Sequence, residues 1–413
     1  MDEVILAKVG VSRGGQEGRA VRYADAAFMG GLAMMILTLP ISEALKNIGY
    51  FVALGAWILK RAARRDFMMT FTPIGVFLSI YFLTSLLSAA FAFDRWEGFR
   101  GAWDVFRPLS IFLMMVNELD GVGKIRFYLW LFVASTGIGV IWGLANYLLG
   151  VKRLLEIKSL GHSNHTAWYL VIMLALLVSL LLFMEWPVPV KAAVGALSGL
   201  TLLAVLLTYS RGALIALLAC LLFLSIPYRR WKPITVVVCS AILILISLEA
   251  AGTRWSRHIA MLAQPAQDES LMDRLRLWRV SLLSLKDRPW LGIGPKNFKY
   301  LDHERYGFKQ DHERYGFKRV DHAHSLFFNV IAERGLLGFL SLMALFGCYV
   351  YEGMRRWPSK DSLSTVLWHA AMGSFITIVV AGVANTTLHT EGAIAFWSLT
   401  ALMLASGEAA KPL

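Results

Sequence analysis

Two arginines and a histidine, far apart in a mostly apolar chain, are the groups best suited to transfer chemistry. His324 lies in Asp321-His322-Ala323-His324-Ser325, immediately before a long apolar run. An imidazole at the end of a membrane helix can stay neutral near pH 7 and take a proton from a hydroxyl. An interfacial histidine satisfied by a backbone carbonyl would look the same in sequence. Arg211 sits in a tight turn, Thr208-Tyr209-Ser210-Arg211-Gly212, between two apolar stretches. An arginine near bilayer depth costs about 2.5–3.5 kcal/mol on insertion scales unless paired or hydrated. Functional use offsets that cost, and so does snorkelling to the interface. A guanidinium is a planar fork suited to phosphate oxygens. Arg274 has the same capacity, with a solvated helix face as its plain alternative.

The elements that must position these groups are membrane helices. Hydrophobic residues make up 57% of the 413 and charged residues 17%, against about 25% charged in soluble domains. The apolar runs approach the roughly 20 residues that span a bilayer. They are continuous rather than alternating, which selects helices over a β-barrel. The expected fold class is therefore an all-α integral membrane protein with about twelve transmembrane helices. The spans fall near 24–42, 45–60, 71–92, 101–118, 125–149, 166–184, 188–208, 211–228, 233–251, 324–351, 363–383 and 391–407. The expected organisation is nine spans in 1–251, a polar lobe in 252–322 and three spans in 323–413. The first apolar run follows about two dozen polar residues without a small-residue cleavage pattern, so the first helix is expected to remain as an anchor.

Lysine and arginine concentrate in the even-numbered connections, at Lys60, Arg61, Arg64, Arg65, Lys124, Arg126, Arg229, Arg230, Arg355 and Arg356. The positive-inside rule then puts both termini in the cytoplasm and the lobe outside, in the periplasm of a cell with two membranes. Most of the net charge of +13 is thereby assigned to topology and to a cationic lobe, not to nucleic-acid binding. Cys220, Cys239 and Cys348 all fall in apolar spans and read as small buried hydrophobes; neither a disulfide framework nor a zinc spacing is present.

Within the lobe, Leu271, Leu275, Trp278, Leu282 and Leu285 recur at helical spacing, with Arg274, Arg279 and Lys286 on the other faces. This predicts an amphipathic helix lying on the bundle or at the lipid surface. Pro289 and Gly292-Ile293-Gly294-Pro295 end it. A duplication follows: DHERYGFK at 302–309 and again at 311–318, read as a slippage event tolerated in a surface loop.

The histidine region resembles a known family signature. His324-Ser325, nine residues, Gly335, two residues and Gly338 satisfy every fixed position of the bacterial O-antigen ligase pattern. Ser210-Arg211-Gly212-Ala213 is similar to that family's arginine turn. Arg274 to Trp278 and Arg288-Pro289-Trp290-Leu291-Gly292-Ile293-Gly294 resemble the lobe of the wider ligase and polymerase superfamily. The duplicated segment departs from the family.

The resemblance implies a GT-C-like membrane fold with one large helical periplasmic loop in an inner-membrane protein. It implies a metal-independent, cofactor-free glycosyl transfer from an undecaprenyl-pyrophosphate-linked glycan to a lipid A–core acceptor. Under it, His324 is the general base and Arg211 and Arg274 bind the pyrophosphate, with Arg288 a further candidate. His322 orients His324 or the acceptor. Arg95, Arg100 and Arg107 attract acceptor phosphates, or else serve topology and pair with Asp94 and Asp104. Asn164 and His165 are read as the cap of the sixth span. His389 and Glu391 either reach the site from the last outer turn or cap a helix. An O-antigen polymerase or a protein O-oligosaccharyltransferase would use the same donor; a transporter is the alternative of another class, without the internal repeats usual there.

Overall fold

The computed structural model describes residues 2–225, 269–302, 305, 320–358 and 362–409. Among them the chain forms twelve α-helices. They are α1 Asp2–Thr38, α2 Glu43–Arg64, α3 Pro73–Ala90, α4 Arg95–Glu118, α5 Val122–Leu148 and α6 Ser163–Phe183. Then come α7 Val188–Leu207, α8 Arg211–Ser225, α9 Glu269–Asp287, α10 Leu326–Arg355, α11 Ser362–Gly382 and α12 Thr390–Ala409. Seven segments are long and apolar enough to cross a membrane, in α1, α3, α5, α6, α7, α10 and α11. Shorter apolar helices occupy Arg211–Ser225 and Glu391–Ser406. The chain is a multi-pass helical membrane protein. The expected ninth span, 233–251, and nearly all of the duplication lie outside the described residues.

Local chemistry sets the helix starts. Ser42 caps α2 by accepting from Leu45 N, and Thr72 caps α3 by accepting from Gly75 N, with Pro73 at the first helical position. Asp94 caps α4 through Glu97 N, and the His162 ring caps α6 by accepting from Asn164 N. The sixth span thus has a cap, but it is His162 rather than Asn164 or His165.

Hydropathy does not separate central helices from peripheral ones; packing does. In α6 the apolar window is 89% buried, and in α11 78%, against 39% in α3. These two helices pack on each other at the centre, with α8 against α11 and α7 against α6. The outer helices keep large apolar side chains exposed, such as Leu59, Leu83 and Ile141. In a chain crossing lipid these make a hydrocarbon-facing belt.

The lobe helix α9 forms where expected, but its buried face differs. Leu277, Val280, Ser281 and Ser284 are buried, whereas Leu275 and Leu282 are 44% and 48% exposed. Leu275 and Leu282 of the leucine stripe therefore face outward, and α9 packs on α10, with Leu277 and Val280 clustered with Ala332 and Phe328. Trp278 lies between the two faces and stacks on Phe328 of α10 at 4.8 Å. Spacing found the helix, but the buried face lies beside the leucine stripe and includes Ser281 and Ser284, which carry no apolar signal.

The second surprise is a break in α10. Gly335 has φ 63 and ψ −162, a combination open essentially only to glycine. The carbonyls of Ala332 and Glu333 lose their helical partners there and accept from Ile293 N at 3.0 Å and Gly294 N at 2.8 Å. Beyond the break, Leu336 N and Leu337 N donate to the carbonyls of Pro289 and Trp290 at 2.8 and 3.1 Å. The segment 289–294 thus satisfies both orphaned ends. Ser88 of α3 lies below, its hydroxyl 2.7 and 2.8 Å from the carbonyls of Leu291 and Glu333.

Candidate active site

The candidate chemistry gathers at the end of the bundle where α2, α4, α6, α8, α10 and α12 begin. His324 precedes α10 with φ 50, a left-handed backbone that non-glycine residues seldom adopt. Tyr209 in the arginine turn (φ 57) and Lys296 in the lobe (φ 58) share this conformation. Three such residues around one site indicate a surround that overrules local preference.

Five histidines cluster here. The rings of His322 and His324 are 4.3 Å apart, and those of His165 and His389 are 4.9 Å apart. His162 lies 6.0 Å from His165. The His389 Nε2 meets the Thr386 hydroxyl at 2.7 Å. Burial pushes His324 down to about 3, helped by the positive fields of His322 and Arg274. Burial and His165 push His322 down to about 4, against a small opposing effect of Asp321. His389 is likewise lowered, by burial first. These three imidazoles are neutral at pH 7. Among the described residues no group of three or more His, Cys, Asp or Glu is arranged to hold a metal ion.

Beside the histidines lies a cavity of about 450 Å³. Its lining includes Glu97, Arg100 and Asp104 of α4, and His165, Thr386 and His389. Lys296 and Lys299 of the lobe line it too, together with Asp321 and His322. Tyr81, Glu333 and Arg334 also line it, beside apolar residues such as Leu326, Val330 and Leu388. Arg334 is almost wholly buried, donating to Glu333 at 3.2 Å and to the Ser85 hydroxyl at 2.9 Å, with its guanidinium 5.6 Å from the Tyr81 ring.

The two signature glycines act on this lining through the backbone. Gly335 makes the break that turns Glu333 and Arg334 inward. A methyl on Gly338 would lie 2.2 Å from Arg334 Cβ, so glycine leaves Arg334 its place. Asn297, fully buried, fixes the lobe to the start of α4: its amide donates to the carbonyls of Asp94 and Pro295, and its oxygen accepts from Asp94 N at 2.7 Å.

Among the residues expected at the site, His322 and His324 lie together, and the Arg274 charge reaches His324. His389 and Arg100 line the cavity; His324, Arg211 and Arg274 do not. Arg211 opens α8, and its neighbour Gly212 packs against Asn385, in the loop that carries Thr386 and His389. Arg100 pairs with Glu97 at 3.0 Å, and Asp104 pairs with Lys296 at 2.7 Å. Arg95 is exposed at the first turn of α4. Arg107 lies further along α4 and donates to Asn47 at 3.2 Å. Arg288 donates to the Phe91 carbonyl at 2.8 Å, with its guanidinium 4.4 Å from the Phe93 ring. Glu391 is buried in an ion pair with Lys46 of α2 and accepts from Ser159, which gives it a bundle-tying contact.

Sequence reasoning missed Lys296, Glu333, Arg334 and Tyr81. A consecutive Glu-Arg inside a membrane helix was the available signal, because intramembrane charge marks function by default.

With this geometry in view, the comparison with known families becomes specific. Residues 196–343 match the O-antigen ligase family model. The matched O-antigen ligase segment covers a little over a third of the chain. It runs from α7 through α8 and the lobe into α10, so it contains Arg211, Arg274, Arg288, His322, His324, Gly335 and Gly338. It supports transfer chemistry of the O-antigen ligase and polymerase type. The α4 wall and the loop carrying Thr386 and His389 lie outside it. No curated protein matches the chain.

Proposed function

We propose that the chain is an O-antigen ligase, of GT-C-like architecture, working at the periplasmic face of the inner membrane with both termini in the cytoplasm. It moves a glycan from undecaprenyl pyrophosphate to a sugar hydroxyl of lipid A–core. The observation that carries this reading is the conformation and setting of His324: a left-handed backbone, a ring 4.3 Å from His322 and the Arg274 charge nearby, within the ligase-family segment.

The chemistry follows from those groups. The acceptor oxygen attacks the anomeric carbon of the donor sugar and forms the new glycosidic bond. The bond from that carbon to the pyrophosphate oxygen breaks, and its electron pair leaves with undecaprenyl pyrophosphate. His324 takes the hydroxyl proton, and displacement from the opposite face inverts the anomeric centre. Arg211 and Arg274 stabilise the leaving charge, which preorganised guanidinium donors do well in a site that excludes water. The free enzyme holds His324 neutral but makes it a weak base. An entering pyrophosphate supplies negative charge that favours the imidazolium and raises its basicity towards the working range. Donor binding thereby prepares the base.

The test uses purified protein with both glycolipids in detergent. His324→Gln is expected to abolish transfer while leaving donor binding intact; near wild-type transfer would remove the base assignment. Arg211→Lys keeps charge but loses the planar fork, so donor affinity is expected to fall by about tenfold. The acceptor that becomes glycosylated separates a ligase from a polymerase, which would extend a second undecaprenyl-linked chain.

A further inference from the structure

The cavity beside the histidines is polar but electrically balanced. Among the described residues it is lined by four cationic side chains and four carboxylates. Glu97 accepts from Arg100 at 3.0 Å and lies 3.3 Å from Lys299. Lys296 pairs with Asp104 at 2.7 Å, and Arg334 pairs with Glu333 at 3.2 Å. Asp321 is the fourth carboxylate. A pyrophosphate requires cations whose charge is not already neutralised. This cavity meets each cation with a carboxylate, so it is not built for one.

Ion pairs do suit a polyol. A carboxylate offers about four lone-pair sites and an ammonium three donors, so one salt bridge leaves most of both unused. Each pair therefore presents a fixed donor beside a fixed acceptor, and a sugar hydroxyl is both. Leu326, Val330 and Leu388 supply apolar lining for the C–H faces of a ring. The volume of about 450 Å³ lies within the usual range of small-molecule sites, about 300–1,000 Å³. It holds a terminal sugar unit, not a polymer. His322 lines the cavity with its ring 4.3 Å from His324, so a hydroxyl at that edge lies beside the candidate base.

We propose that this cavity seats the acceptor's sugar, recognised through its hydroxyl groups by the Lys296–Asp104 and Arg100–Glu97 pairs and not through acceptor phosphates. This rests on the glycosyl-transfer reading above and assigns the acceptor half of that site. The Arg211 and Arg274 side is left to the donor. Arg100 then acts as a hydrogen-bonding partner of a neutral sugar rather than as a collector of anions.

The experiment is calorimetric titration of the full-length protein with core oligosaccharide released from lipid A, without donor. The oligosaccharide is used phosphorylated and enzymatically dephosphorylated, at low and at moderate salt. The two forms are expected to bind within about threefold of each other, and salt is expected to change affinity by less than about threefold, because a balanced site presents no net charge to screen. Lys296→Met and Asp104→Asn, at partly exposed positions, are each expected to weaken oligosaccharide binding by about tenfold while undecaprenyl pyrophosphate binding stays unchanged.

Binding that vanishes on dephosphorylation, or falls more than tenfold with salt, makes the cavity an anion site and overturns the proposal; neither measurement depends on a variant folding. Variants that weaken the donor instead also overturn it. So does transfer proceeding with no oligosaccharide binding up to millimolar concentration. Wild-type protein that binds dephosphorylated oligosaccharide but transfers nothing sinks the ligase reading and leaves the sugar site standing. Transfer by both variants with unchanged acceptor KM does the reverse.

Discussion

Replacing Gly335 by alanine tests whether the break in α10 is what holds the site together. The residue adopts φ 63 and ψ −162, and a side chain there costs about 1–3 kcal/mol in backbone strain alone. The added methyl would also lie 2.6 Å from both C and O of Trp290 and 2.7 Å from Gly292 N. All three are backbone atoms, so the 289–294 segment must retreat as a unit. Retreat breaks at least the bonds from Leu336 N and Leu337 N to the carbonyls of Pro289 and Trp290, worth about 1–3 kcal/mol together. The total is about 2–6 kcal/mol, local to the junction of α10 with the lobe. Hydrogen exchange in detergent micelles reads this directly. The amides of Ile293, Gly294, Leu336 and Leu337 are expected to exchange at least about 30-fold faster, since 1.4 kcal/mol is a factor of ten. The amides in the central turns of α6 and α11 are expected to keep their rates. Transfer activity falls with the junction, because Glu333 and Arg334 lose their setting. Unchanged exchange at those four amides, with wild-type activity, would refute the assignment of the signature glycine to this backbone junction.

Further outcomes follow from other contacts. Lys46 and Glu391 are 1% and 4% exposed, so Lys46→Met strands a buried carboxylate and is expected to cost about 3–5 kcal/mol. The double variant Lys46→Met, Glu391→Gln is expected to recover most of that in detergent melting; a double variant as unstable as the single one would show that the pair is not the issue. Asn297→Ala leaves the Asp94 amide and the carbonyls of Asp94 and Pro295 without their partner, a loss of about 2–4 kcal/mol, checked by protease cleavage within the lobe. The folded-state pKa values of His322 and His324, about 4 and about 3, lie below the usual 6.5. The unfolded chain therefore binds protons first as pH falls, and these groups withdraw stability from about 6.5 down to about 4 for His322 and about 3 for His324, not above 6.5. Melting temperatures measured from pH 7.5 to 5 are expected to fall, and less steeply in His324→Gln; a slope confined to pH above 7 would contradict this.

The helices and the chemistry were legible in the sequence to different depths, for physical reasons. Apolar runs at α3, α5, α6 and α7 announce themselves because lipid demands length and continuity. Which helix is central is not encoded that way: α11 and α5 share a mean hydropathy of 1.7, yet the apolar window of α11 is 78% buried and that of α5 50%. The buried face of α9 lies beside the leucine stripe, where Leu277 and Val280 bury together with Ser281 and Ser284, and the serines add no apolar signal to the sequence. The fixed residues His324, Gly335 and Gly338 carried the resemblance, but what Gly335 does depends on Trp290 and Gly292, more than forty positions upstream, and spacing says nothing of that contact. Charge is the clearest case. Arg100, Lys296, Lys299 and Arg334 count as positive in any sequence tally, and a positive lobe reads as an anion site. Their carboxylate partners come from α4 and from the helix break in α10, so neutrality emerges only on folding. The same fold brings the Arg274 charge to His324. What this cavity can bind therefore depends on how its charges pair on folding, not on how many positive residues the sequence counts.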